Sequence, residues 1–367
     1  MTDLQFKLFQ DLLGILGLQG GYNTSLVLIG SALLGAVSGL VGSFSLLRKR
    51  ALIADAVSHA TLPGLVLGFL VAIALGFDGK SLPFLLIGSA VSGLLGVLMV
   101  QWIRDNTRLP EDSAIGTVLS SFFGLGVVLL SYVQTLKNGS QAGLEDFLLG
   151  STASMLRSEA ELIAVIALLL SILALAFRKE MALVCFDAGF AQALGWSVKR
   201  IDLIMMGLLL TVMVIGLKSV GLILVIALVI IPPVAARFWS DRLSTMLILS
   251  SLFGALSCYL GAALSALAPD IPSGATIVLT ASSFFVLSLV FAPQNGVLAA
   301  ALRFTAFRIR LCSDQVLSEL NKGEPVPDSL TKAIGLYQLR SRGLVAPLSM
   351  EITREGHHYL ASLQEEN

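Results

Sequence analysis

Asp55 and His59 stand four residues apart in the stretch ALIADAVSHATLPG. At about 100° per residue, that spacing puts both side chains on one face of a helix, one turn apart. A carboxylate oxygen and an imidazole nitrogen together suit a divalent transition metal such as manganese, iron or zinc; oxygen alone would favour magnesium or calcium, and sulfur the softer ions. Pro63 follows on the same helix, and because it has no N–H, the His59 carbonyl loses its i+4 donor and a helix break is expected there. An extra oxygen ligand could therefore lie beside the imidazole. Two side chains cannot complete a tetrahedral or octahedral shell, whereas a dimer with two such helices facing one pore would supply two Asp and two His. A blander arrangement remains open: Asp55 lies shortly after the basic turn Arg48-Lys49-Arg50, where a helix N-terminus near water favours a carboxylate, and His59 simply hydrogen-bonds to it.

Other reactive residue types are less organised. Cys185, Cys258 and Cys312 show no CxxC spacing, so neither a disulfide framework nor a thiolate site is expected. His357 and His358 are adjacent and would point about 100° apart on a helix, too far to share a metal. Residues 178–200 form a compact polar connector with Asp187, Gly189, Gly195 and a Lys199-Arg200 pair. Pro232 and Pro233 are expected to break the helix that Arg237 closes at a membrane interface, and Lys218 is read as a loop charge. No GxxxxGK[ST] phosphate loop occurs, so any ATP must be hydrolysed by a partner.

The elements that must position Asp55 and His59 are membrane spans. Of 367 residues, 56% are hydrophobic and 13% charged, with a mean hydropathy of +0.87, which excludes an ordinary water-soluble enzyme. Residues 24–47, 81–103, 113–136, 243–269 and 271–302 each run without a charged residue or histidine, longer than the roughly 18 residues that mark a spanning helix. The fold class expected is all-α: a polytopic membrane protein with eight or nine transmembrane helices, near 24–47, 51–77, 82–103, 113–136, 160–177, 201–217, 219–237, 244–267 and 272–293. The sixth and seventh could be one bent element, hence the two counts. Residues 4–18 read as a helix lying in the interface. The N-terminus lacks a basic region followed by a short apolar core and cleavage site, so no removable signal peptide is expected.

Basic residues set the orientation. Arg48, Lys49, Arg50, Arg104, Arg108, Arg178, Lys179, Lys199, Arg200, Arg237 and Arg242 fall in one set of loops, against Lys80, Lys137, Arg157 and Lys218 in the other. The first set should be cytoplasmic. The other side carries Asp78, Glu145, Asp146, Glu159, Glu161 and Asp270, which would mildly favour cations at an entrance. Net charge is zero, with 24 basic and 24 acidic residues.

The composition changes near residue 303, giving two expected domains: a transmembrane domain over 1–302 and a water-exposed extension over 303–367, which holds 16 of the 48 charged residues, eight of each sign. The extension reads as helices near 311–321 and 328–341, then two short strands and a last helix, a small α/β tail that resembles a winged-helix unit. With its charges balanced, it lacks the basic patch that DNA needs, and no nucleic-acid partner is expected.

SLLRKRALIADAVSHATLPGLVLGF (45–69), FDAGFAQALGWSVKR (186–200), VGLILVIALVIIPPVAAR (220–237) and IPSGATIVLTASSFFVLSLVF (271–291), in that order, resemble the integral-membrane subunit of bacterial ABC transporters for manganese, zinc and iron. The resemblance implies that Asp55 and His59 are metal ligands in the translocation path. It also implies that Phe186, Asp187, Ala191, Leu194 and Gly195 lie against the ATPase and couple to it. Pro233 stands where the family usually has alanine. The implied assembly contains ATP-binding cassette ATPases, a second permease copy or a paralogue, and an extracytoplasmic metal-binding protein. It sits in the lipid of a bacterial cytoplasmic (inner) membrane, with the tail in the cytoplasm. The implied cargo is manganese, zinc or iron, with no permanently bound cofactor. A proton-coupled secondary metal transporter, with Asp55 and His59 as proton carriers, is the alternative.

Overall fold

A computed structural model of the chain describes residues 14–17, 21–48, 50–79, 81–135, 155–267, 271–322, 330–346 and 351–365. The interfacial helix expected over 4–18 falls almost wholly outside them. The chain divides into two compact units, Met1–Leu289 and Val290–Asn367.

The first unit is helical throughout its described residues: α1 Tyr22–Leu47, α2 Ala51–Ala74, α3 Leu82–Asn106, α4 Glu111–Thr135, α5 Arg157–Ala176, α6 Arg178–Phe186, α7 Ala188–Ala193, α8 Val198–Val220, α9 Leu222–Trp239, α10 Leu243–Ser265 and α11 Ser273–Phe291. All but α6 and α7 are long and apolar enough to cross a membrane, nine among the described residues. The expected ambiguity between eight and nine is settled by Gly221, whose φ of 86° and ψ of 163° occupy a region essentially open only to glycine. The chain turns there between α8 and α9, and Lys218 belongs to the last turn of α8 rather than to a loop.

Small residues let the helices approach closely, the main source of association where lipid removes the hydrophobic drive between helices. Gly35 of α1 faces Gly254 of α10 so tightly that a Cβ on either would strike the other's carbonyl. Beside them Ser250 Oγ donates to Gly39 O at 2.7 Å, and Ser251 Oγ to Ala36 O at 3.0 Å. Gly64 of α2 and Gly88 of α3 repeat the arrangement, joined by Ser92 Oγ donating to Ala60 O at 2.7 Å. α2 is thus clamped along one side by α3, and it also packs on α4, α8 and α9.

The prolines do not break their helices: α2 runs through Pro63, and α9 through Pro232 and Pro233. A proline costs one backbone bond and leaves the carbonyl four residues earlier without its donor, and neighbouring helices can compensate. In α9 the carbonyl deprived by Pro233 is that of Val229, and it lies against Gly42 of α1, with Pro233 Cγ beside it. The residue that departs from the resembling family is therefore accommodated by a glycine on the facing helix.

The second unit contains α12 Val297–Lys322, α13 Leu330–Ser341 and α14 Arg354–Glu365. Val316, Leu317, Leu339, Leu344 and Val345 form its core. The expected winged-helix α/β tail is not what forms. Among the described residues there is no strand, only an isolated antiparallel bridge, Val345 with Ile352, held by Ala346 N–H to Glu351 O at 2.9 Å and Thr353 N–H to Leu344 O at 3.1 Å. One bridged pair makes no ladder, and Pro347 has no N–H with which to extend one.

Candidate metal site and coupling surface

Asp55 and His59 occupy successive turns of α2, and His59 Nε2 stands 3.3 Å from Asp55 Oδ1, with the two side chains 21% and 38% exposed. A proton on Nε2 is favoured by the facing carboxylate, which leaves the lone pair on Nδ1. Nδ1 is buried without a hydrogen-bond partner, an uncommon state for a polar atom. The ring edge meets Phe123 of α4 at a centroid distance of 4.9 Å and an interplanar angle of 78°. His59 and Phe123 border a cleft of about 380 Å³ whose walls include Leu62, Val66, Leu130 and Ile223. The imidazole therefore faces an apolar space. Its walls offer a cation no donor side chain but His59, and among the described residues no third His, Cys, Asp or Glu joins Asp55 and His59. Pro63 lies one turn beyond His59 on the same helix; Pro233 packs against Gly42 of α1 instead.

Beneath this helix lies a feature the sequence did not single out. The Asp202 side chain, at the head of α8 and 2% exposed, accepts from Arg48 Nε at 3.1 Å and pairs with Arg50 Nη1 at 3.0 Å. Arg104 Nη1 approaches it at 3.7 Å. Arg50 also meets Glu111 Oε1 at 2.6 Å, and Lys199 meets Asp105 at 2.9 Å. Residues from α3, α4, α8 and the α1–α2 turn are thereby gathered at one end of the unit. Four basic residues of the set expected to be cytoplasmic are among them. Sequence reading used these arginines only to orient the chain; the available signal was a lone acid at the head of a span, just after Lys199 and Arg200. Asp55 is five residues past Arg50, about 7.5 Å along the helix.

Arg48 has a third role: its Nη1 donates to Val184 O at 3.0 Å, attaching α6 to the network. Cys185 lies next to that bond, and burial pushes its thiol up to about 11, aided by Asp202 and opposed by Arg48 and Arg50. The connector that follows is built by recognisable local rules. Asp187 caps α7, its Oδ1 accepting from Phe190 N–H at 2.8 Å, as N-cap aspartates do. Gly195 ends the turn at φ 86°, with open space where a side chain would go. Ala191 is fully buried and fixes the small helix, whereas Phe186, Phe190, Leu194 and Trp196 are 64%, 54%, 57% and 45% exposed. Of the five expected coupling residues, Phe186 and Leu194 therefore present apolar surface, Asp187 and Gly195 shape the backbone, and Ala191 is core. Phe190 and Trp196 extend the exposed patch. Such a cluster on a polar connector marks an interaction surface.

Nine apolar helices among the described residues, with an ionisable pair in the first turns of the second and a short helical connector exposing aromatic side chains, describe a multispan membrane protein. The chain belongs to the ABC 3 transport family, whose model matches residues 22–292. It is 44% identical over 296 residues to the manganese transport system membrane protein MntC of Bacillus subtilis, covering 80% of this chain and 67% of that one. It is 39% identical over 277 residues to the zinc transport system membrane protein TroC of Treponema pallidum, covering 76% of this chain and 91% of that one. The solved structure of PsaBC from Streptococcus pneumoniae in complex with Fab matches with a TM-score of 0.65 at 33% identity, over 76% of this chain and 95% of that one. The chain is accordingly a membrane permease subunit of an ABC transporter and not an enzyme; ATP hydrolysis belongs to a separate subunit.

Proposed function

We propose that the chain is the permease of an ATP-driven importer of manganese or zinc, and that the ion passes between Asp55 and His59. The carrying observation is the Asp55 carboxylate 3.3 Å from His59 Nε2, on an imidazole whose Nδ1 is buried and unpartnered and which borders an apolar cleft. Ionisable side chains within spans are costly and mark ion pathways by default, which fits a transport role for a pair in the first turns of α2. Manganese and zinc are the ions named for the relatives MntC and TroC; both accept mixed oxygen and nitrogen donors, as iron does.

With two donors per chain, the shell is completed by the same pair from a second copy or a paralogue. ATPase subunits seat on the patch around Phe186, Leu194 and Trp196, and movement there reaches α2 through Arg48 and Arg50. An extracytoplasmic metal-binding protein delivers the ion on the opposite side of a bacterial inner membrane. The tail is taken to be cytoplasmic, a reading supported by an odd number of crossings together with the positive-inside rule.

The test is ATP hydrolysis and metal uptake by the permease reconstituted with its ATPase subunits, across manganese, zinc and iron. Metal-stimulated hydrolysis lost in Asp55→Asn and His59→Ala, with assembly intact, is the expected result. Uptake that survives ATP depletion and collapses with the proton gradient would establish the secondary-transporter alternative instead.

A further inference from the structure

The first half of α12 carries exposed apolar side chains. Its later residues Ser313, Val316 and Leu317 are buried in the tail core, yet Leu302, Phe304, Phe307 and Leu311 are 62%, 61%, 58% and 47% exposed. At about 100° per residue, Phe307, Leu311, Phe304, Ala300 and Val297 fall in one stripe roughly 80° wide. Arg303 and Arg310 flank that stripe on one side and Arg308 on the other. No acidic residue occurs between Asp270 and Asp314, so this stretch carries three positive charges. Arg308 lies over the Phe304 ring at 5.8 Å, and Arg303 Nη2 donates to Gln294 O at 2.7 Å, so both guanidinium groups sit along the stripe's margins. Only residues 292–296 separate this helix from the end of the last span, α11.

We propose that residues 297–311 form an interfacial helix that lies in the anionic bilayer leaflet on the side where α11 ends, with Phe304, Phe307 and Leu311 in the acyl boundary and Arg303, Arg308 and Arg310 at lipid phosphates. An apolar stripe edged by arginines is the pattern of helices that lie in the interface plane, and long basic side chains reach the headgroups while their stems stay apolar. The unbroken charge sign selects an anionic lipid surface, and attachment five residues after a span holds the helix at that surface. The helix would then fix the tail core against the membrane rather than leave it on a tether.

The test uses the full-length chain in vesicles of phosphatidylcholine alone or mixed with phosphatidylglycerol. An environment-sensitive fluorophore is placed at Phe307→Cys in a Cys312→Ser background, with Tyr337→Cys, a position 75% exposed, as the aqueous control. In anionic vesicles the Phe307 label should be shielded from iodide and quenched by nitroxide-bearing lipid, while the Tyr337 label stays open to iodide. Arg303, Arg308 and Arg310 each changed to Glu should weaken seating by at least about fivefold per residue, roughly 100-fold together. High salt should act in the same direction in the unmodified chain, which keeps the test valid if the charge-reversed variant fails to fold. A Phe307 label open to iodide in anionic vesicles would overturn the proposal. So would a label shielded from iodide and lipid nitroxide alike, which would mean that protein covers the stripe.

Discussion

Replacing Asp202 is the sharpest probe of how the start of α2, the helix of Asp55 and His59, is held. Its carboxylate, 2% exposed, faces Arg48 at 3.1 Å, Arg50 at 3.0 Å and Arg104 at 3.7 Å. Asp202→Asn keeps an acceptor but removes the charge, leaving three guanidinium groups converging on a site with little water. Removing one partner of a buried ion pair typically costs about 3–5 kcal/mol, because the remaining charge is uncompensated. Glu111, also paired with Arg50 but 30% exposed at its side chain, is screened by solvent, and Glu111→Gln should cost less than about 1 kcal/mol. At about 2–4 °C per kcal/mol for a large domain, the first change should lower the thermal midpoint of the detergent-solubilised permease by at least 6 °C and the second by no more than about 4 °C. Size-exclusion profiles after heating report both. Adding Arg48→Met to Asp202→Asn should recover part of the loss, since it removes an orphaned charge. Equal small shifts for Asp202→Asn and Glu111→Gln would refute the claim that the network rests on a buried anion.

Further outcomes follow from the same geometry. Phe123→Ala should leave the permease folded but raise the metal concentration needed for half-maximal ATPase stimulation, since it opens the wall against the His59 ring; an unchanged concentration would show that this wall does not shape the site. Cys185, with its thiol near 11 against an ordinary value of 9.0, should react with maleimide about 100-fold more slowly than a free thiol at pH 8, its rate climbing about tenfold per pH unit toward 11. Mass spectrometry should accordingly find Cys312 labelled first. Leu194→Asp should abolish ATPase association without altering permease expression, whereas Gly195→Ala, which meets no atoms but strains a φ of 86°, should cost roughly 1 kcal/mol of stability; normal association of the Leu194 variant would remove this patch from the interface. Gly64→Leu should prevent folding, because the Gly88 carbonyl occupies the space its side chain needs, and a monodisperse variant would show that α2 and α3 can separate.

Much of this architecture is present in the sequence because lipid imposes one-dimensional rules. A span must be long, apolar and internally hydrogen-bonded, so hydropathy alone locates the spans to within one, eight or nine, and a four-residue spacing alone sets Asp55 beside His59. What depended on other segments could not be read that way. Asp202 looks like any charge at the head of a helix until three arginines from distant turns meet on it. The prolines of α2 and α9 look like breaks until a facing helix, with Gly42 in the case of Pro233, is there to meet the freed backbone. Phe190 and Trp196 look like core residues until the connector folds with Ala191 inside and both aromatic rings outside. In the tail, the sequence after residue 342 reads as two short strands, but a strand is defined by pairing, and the described residues supply one isolated bridge. The solvent determines local form from the sequence alone, whereas charge pairing, backbone rescue and burial are properties of neighbours that only the tertiary structure brings into contact.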